Sequence, residues 1–293
     1  MKTIMYGLLS VLIMFAQSQT DAQSFDNLDR YRNSNVFYSH GFENRGAKIE
    51  SYINNAINYY ASELNFKPEV VVLVLSEDDW SKYTSMPVYG MPHYTSDQTL
   101  IVAASDNAMW QAFLPDLKQL PEGLVTDIKE TYADENGTLT MEGFFDLLAL
   151  HELGHAFHLQ RGLNVQRKWM GELFCNLFLH TYVAERAPEL LKALTIFPEM
   201  VVSGGSNQFR FKTLQAFEEN YATIGSKHPK NYGWYQCRLH VAAKRIYDAG
   251  GKNIFLRLWN TLHSPDKIID DIDFANVLRQ KVDASVSDVF LKW

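Results

Sequence analysis

Phe144-Phe145-Asp146-Leu147-Leu148-Ala149-Leu150-His151-Glu152-Leu153-Gly154-His155 is the stretch that decides how this chain folds. Its apolar run predicts a buried helix. Two histidines four residues apart on a helix project from one face, one turn above the other. Their imidazoles can grip one metal ion, and Glu152, directly after the first of them, can face the same point from the side. The pattern H-E-x-x-H is the arrangement that binds Zn²⁺ and activates a water on it. The plain alternative is a buried helix carrying two hydrogen-bonded histidines, and a third ligand from elsewhere in the chain would separate the two.

No acidic residue stands between His155 and Glu172, which lies in Lys168-Trp169-Met170-Gly171-Glu172-Leu173-Phe174-Cys175-Asn176. The metal helix is expected to continue to about Arg161, with Gly162 as its C-terminal stop and Asn164 in the turn. A second helix beginning near Lys168 would run back antiparallel. From His155 to the end of the first helix is ~9 Å, and from Lys168 to Glu172 is ~6 Å. Glu172 therefore returns to about the level of the histidine pair. Its other reading is a carboxylate favoured near a helix N-terminus by the dipole. Asn176, four residues on, shares that face. Its carbonyl could accept a hydrogen bond from the ring N–H of a ligand histidine and so fix the ring; a helix-surface or capping amide is the alternative. His158 falls near the ligand face, either supporting the ligands or packing in the core.

His151, Glu152 and His155, followed by Glu172 and Asn176, resemble the gluzincin branch of zinc metallopeptidases. The resemblance implies one Zn²⁺ per chain held by His151, His155 and Glu172, with Glu152 as general base. It also implies an α+β, zincin-like two-lobed fold with the zinc in the cleft between the lobes. The metzincin pattern is not met, since it needs a glycine at 158 and a histidine at 161, where this chain has His158 and Arg161. In gluzincins a strand shortly before the metal helix forms the sheet edge to which substrate pairs; Thr99-Leu100-Ile101-Val102-Ala103-Ala104 is expected there. Tyr232-Gly233-Trp234-Tyr235 opens a helical stretch reaching Gly250-Gly251 and is similar to the segment that carries an oxyanion-binding tyrosine in aminopeptidase-type members. Spacing to the glycine pair favours Tyr235, with Tyr232 as second choice. Arg238 stands where those enzymes usually have glycine. Their Gly-x-Met-Glu-Asn element is missing too, Gly90-Met91-Pro92-His93 lacking the Glu. Both departures argue against an aminopeptidase.

The chain opens Met1-Lys2, then an apolar stretch from Ile4 to Ala16, then small polar residues, the layout of a secretory signal peptide. Cleavage is expected after Thr20-Asp21-Ala22, with Ala16-Gln17-Ser18 a second possibility and an uncleaved anchor the alternative. The apolar core is short for a membrane span, and no other run approaches spanning length. An exported protein, periplasmic or extracellular and without stable membrane insertion, is the expectation. Losing Met1–Ala22 removes Lys2 and Asp21, so the net charge stays at −7. A mildly acidic chain with no basic run argues against nucleic acid and anionic membrane surfaces as partners. Cys175 and Cys237 are the only cysteines; in an oxidising compartment they either form one disulfide or remain buried thiols.

Residues 23–293 are long enough for one large domain, expected as an α/β lobe over 23–140 and a helical lobe with the metal site over 141–293. In the first, Ile49, Ile53, Ile57, Tyr60 and Leu64 share one face of a helix over 46–64. Glu69-Val70-Val71-Val72-Leu73-Val74-Leu75 reads as a buried strand. Residues 105–140 read as a polar insertion beside the cleft, either shaping specificity or forming a passive loop. Asp134-Glu135-Asn136-Gly137 within it is a turn, since Tyr132 and Gly143 occupy positions a calcium loop fills with acids. Thr140 is placed to cap the metal helix. From about residue 168 the pattern is mainly helical, closing with Val282, Val286, Val289 and Phe290 at helical spacing.

The expectation is a secreted zinc-dependent metallopeptidase acting on peptide or protein substrates. Zinc hydrolysis of a non-protein amide uses the same chemistry, and a non-catalytic exported zinc-binding protein is the reading from another class. The intact Glu152 argues against the last, because a structural site has no use for it.

Overall fold

A computed structural model describes residues 25–263 and 267–293; the signal peptide expected over Met1–Ala22 lies outside them. The first part mixes strands and helices: β1 Asp29–Arg30, β2 Val36–Tyr38, α1 Glu43–Leu64, β3 Val71–Leu75, α2 Glu77–Tyr83, β4 His93–Tyr94 and β5 Thr99–Ala103. The insertion holds α3 Ala108–Gln111 and α4 Glu122–Tyr132. Helices then follow alone: α5 Glu142–Arg161, α6 Lys168–Arg186, α7 Leu191–Ser203, α8 Leu214–Lys227, α9 Pro229–Gly250, α10 Lys252–Leu262, α11 Asp271–Lys281 and α12 Ala284–Leu291. The fold is thus α+β, a small sheet with helices followed by a helical remainder. None of its described helices is long and apolar enough to cross a membrane.

The sheet runs β1-β2-β3-β5-β4. Strands β2, β3 and β5 are parallel, with Val72 opposite Leu100 and Val74 opposite Val102, while β1 and β4 pair antiparallel at the two edges. Central parallel strands are covered on both faces, which is why β3 and β5 read as continuous apolar runs. Alternate side chains feed different cores. Val72, Val74, Leu100 and Val102 pack with α1, α5 and α6. Leu73, Leu75, Ile101 and Ala103 pack with Trp80, Trp110, Phe144 and Phe145.

Two expectations need correction. Thr99–Ala103 is interior, and the sheet edge beside α5 is β4. A two-residue strand directly after Gly90-Met91-Pro92 has too little length for alternation to register. The insertion is no passive loop, because Trp110, Ile128 and Tyr132 are buried in the second core. Its turn is as expected: Asp134 Oδ1 accepts from the Asn136 and Thr138 amides at 2.9 and 2.8 Å, and Gly137 takes a positive φ of 79°.

Helix α5 packs between the sheet and the helices that follow, touching β4, β5, α1, α6 and α7. The Thr140 hydroxyl accepts from the Glu142 amide at 3.1 Å, and Gly162 ends the helix in the left-handed conformation at φ 70°. Side chains from Phe144 to His158 are buried nearly all round, as in a helix sheathed by other elements. At its start, Asp146 is 1 % exposed and pairs with Arg45 and, at 2.7 Å, Lys48 of α1. Glu142 accepts from both cations at 3.2 Å. This network ties the start of α5 to α1.

Candidate metal centre

The site is built where α5 and α6 touch. A Cβ on Gly154 would lie 3.0 Å from Cys175 Cα and 3.2 Å from its Cβ and Sγ. The glycine inside the H-E-x-x-H stretch is therefore what lets the two helices close on each other. Because the nearest obstacle is backbone, no side-chain rotation relieves a substitution. Gly154→Ala is expected to cost ~1–3 kcal/mol of stability through overpacking and to weaken metal uptake by moving α6 outward. Denaturant midpoints and a metal titration check this; a variant equal to wild type in both would refute the close-approach role.

The helix contact brings three donors together. His151 Nε2 lies 3.0 Å, and His155 Nε2 3.7 Å, from Glu172 Oε2. Each imidazole is held from behind by its other nitrogen. His151 Nδ1–H donates to Asn176 Oδ1 at 2.9 Å, and His155 Nδ1–H donates to His158 Nε2 at 3.0 Å. Both Nε2 atoms thereby face the carboxylate. His158 suits this task because burial, reinforced by His155, pushes its pKa down to about 3 and keeps its ring neutral.

Glu172 is held just as closely. Tyr221 donates its hydroxyl to Oε1. Gln236 Nε2 donates to Oε2 at 2.7 Å and to the Tyr232 hydroxyl at 2.8 Å, while Gln236 Oε1 accepts from Asn176 Nδ2 at 3.1 Å. His151, Asn176, Gln236 and Glu172 so form a closed ring of contacts that orients both amides. Burial pushes the Glu172 pKa up, but the imidazoles, His155 foremost, more than offset it and hold the carboxyl well below the usual range.

His151, His155 and Cys175 present donor atoms within 4.8 Å of one another, a group that could hold a metal ion. Cys175 and Cys237 are both free and buried, so the disulfide alternative does not hold. Burial pushes the Cys175 thiol up to about 11, leaving it uncharged at neutral pH. Protonation of His155 is opposed by burial and favoured by Cys175 and Glu172. With the thiol neutral, Glu172 is the anion that favours the protonated ring.

Glu152 is 9 % exposed, and no hydrogen bond or ion pair to another described residue holds its carboxylate. Tyr232 lies near it, since burial and then the Glu172 and Glu152 charges raise the Tyr232 pKa well above its ordinary value.

Tyr235, preferred on spacing, is not brought to the site. Its hydroxyl donates to the Thr213 carbonyl at 2.8 Å, and its ring stacks on Trp293 and meets Phe217. Residues three apart on a helix are neighbours, and both rings meet Phe217 of α8; what differs is the hydroxyl, which in Tyr232 meets Gln236 and in Tyr235 the Thr213 carbonyl. Distance to the glycine pair carried no information about which partner each hydroxyl meets. Sequence reasoning missed Tyr221 and Gln236. Gln236 had a local signal, standing four residues after Tyr232 on one face; Tyr221 had none.

Comparison with protein-family models, with curated proteins and with solved structures found no match to this chain.

Proposed function

We propose that this chain is a zinc metallopeptidase of gluzincin type, with His151, His155 and Glu172 as the metal ligands. The observation that carries the reading is the convergence of two Nε2 atoms and one carboxylate oxygen, each oriented from behind. Tetrahedral zinc ligands at ~2.0–2.1 Å from the ion stand ~3.3–3.4 Å apart. The separations of 3.0 and 3.7 Å straddle that value. Glu172 is favoured over Cys175 because it is already ionised and aimed at both imidazoles, whereas the thiol must first lose a tightly held proton. Two imidazoles and one carboxylate leave a fourth position open, the pattern of a hydrolytic rather than a structural site. Zinc held there supplies a Lewis acid, which makes water acidic near neutral pH and polarises a carbonyl.

The remaining steps belong to side chains of this protein. Glu152 accepts the proton of the attacking water as its oxygen bonds to the carbonyl carbon, then returns that proton to the amine nitrogen as the C–N bond breaks. The Tyr232 oxygen accepts from Gln236, which leaves its own O–H to donate to the carbonyl oxygen as charge develops there. Its raised pKa keeps it a donor throughout the neutral range. The free edge of β4 flanks α5, with the Tyr94 hydroxyl accepting from Gln160 at 2.8 Å. An extended peptide added to that edge would lie along the metal helix.

The test is mass spectrometry of a diverse peptide mixture incubated with zinc-loaded protein. Metal-dependent cleavage is expected, and intact peptides after prolonged incubation would overturn the peptidase reading. Metal uptake should also be pH-dependent. Because the neighbouring groups raise the His155 pKa well above its ordinary value and the ring must be neutral to bind metal, uptake is expected to displace a proton. Apparent affinity is expected to rise about tenfold per pH unit for that proton, and to lose this dependence above the raised His155 pKa. Calorimetry in buffers of different ionisation enthalpy reads the proton directly. A further proton on uptake, lost in Cys175→Ala, would instead make the thiolate a ligand.

A further inference from the structure

Helix α9 has two working faces. Gln236 faces Glu172 and α6, while Trp234, Arg238, Val241 and Arg245 line a half-open cavity of about 440 Å³ together with Val289 and Trp293. That volume falls within the ~300–1,000 Å³ typical of small-molecule sites. We propose that this cavity binds a small organic anion, its carboxylate or phosphate held by Arg238 and Arg245 and its apolar body by Val241 and Val289.

The arginines carry the argument. The Arg238 guanidinium lies 4.0 Å from the Trp293 ring centroid and 5.2 Å from that of Trp234. The two indoles, 76° apart, hold the charge without accepting a hydrogen bond from its N–H groups, which stay available for a carboxylate or phosphate. Neither Arg238 nor Arg245 pairs with an acidic side chain or donates a hydrogen bond among the described residues. This is in a chain whose acidic residues outnumber its basic ones, 34 to 27. The one carboxylate in the cavity wall, Asp288, is already engaged by Arg279 at 2.9 Å and Lys292 at 2.6 Å. Burial and the neighbouring Arg245 charge push the Arg238 pKa down, as expected for positive charge without a partner. An anion would neutralise the pair. The valine walls offer nothing to a bare inorganic ion, so the occupant carries an apolar part. The site does not rest on the peptidase reading, since it uses none of the residues around the metal.

Calorimetric titration of the whole protein, with and without metal, tests the proposal. Phenyl phosphate and benzoate are the probes; inorganic phosphate and neutral benzyl alcohol are the controls. At least one of the two organic anions is expected to bind equally well in both metal states and in Glu152→Gln, and the tighter one identifies the headgroup. Arg245→Gln, at an exposed position, and Arg238→Lys, which keeps charge but loses the planar fork, should each weaken binding at least tenfold. The proposal is overturned by no binding of either organic anion, by binding that survives both substitutions or vanishes with the metal, or by benzyl alcohol binding as tightly. Inorganic phosphate matching phenyl phosphate would overturn the apolar half of the site.

Discussion

Glu152→Gln is expected to keep its metal and lose ~10²–10⁴-fold in turnover, about 3–5 kcal/mol of barrier, if the proposed mechanism holds. The amide has the shape of the carboxylate but cannot accept the water's proton. Metal retention is expected because Glu152 is not among the converging donors: His151, His155 and Glu172 are held by Asn176, His158, Gln236 and Tyr221. None of those contacts passes through Glu152, so the effect should fall on chemistry alone. Bound zinc measured by elemental analysis and initial rates on one cleaved peptide, taken side by side, give the answer. A variant that cleaves at the wild-type rate would remove Glu152 from the mechanism. One that loses both zinc and activity would make Glu152 part of the metal cradle.

Asp146→Ala should destabilise the fold by ~3–5 kcal/mol, the range for breaking a buried pair and leaving its partner charged. Arg45 is 8 % exposed, so its guanidinium would stay in the interior with only the half-exposed Glu142 to balance it. Lys48 can swing into solvent, and its share is small. The cost should therefore track Arg45. Replacing Arg45 and Asp146 together by apolar residues is expected to recover most of the loss, as no buried charge then remains. Urea denaturation of the two single variants and the double one measures this. A loss below about 1 kcal/mol in Asp146→Ala would mean that Arg45 finds water, and that the network is not what anchors the start of α5.

Most of the metal helix pair was legible from neighbouring residues. Gly162 stops α5, Lys168 starts α6, and helical rise returns Glu172 to the level of the histidines. Each of these follows from rules that act within one turn. The buried runs of β3 and β5 were legible for a similar reason, since a strand covered on both faces has no polar side to interrupt it. The two-residue β4 was not, because so short a segment has no period.

The sequence by itself placed His151 and His155 on one helix face, because a helix sets residues four apart on one side whatever surrounds it, and helical rise across the Gly162 turn brought Glu172 level with them. Tertiary structure alone set the Tyr232 hydroxyl against Gln236 and that of Tyr235 against the Thr213 carbonyl, brought Tyr221 and Gln236 onto Glu172 from 49 and 64 residues away, and left Cys175 and Cys237 unbridged. Those outcomes depend on how α8 and α9 rotate against α6, and that rotation is set by close packing of the whole core rather than by any local spacing.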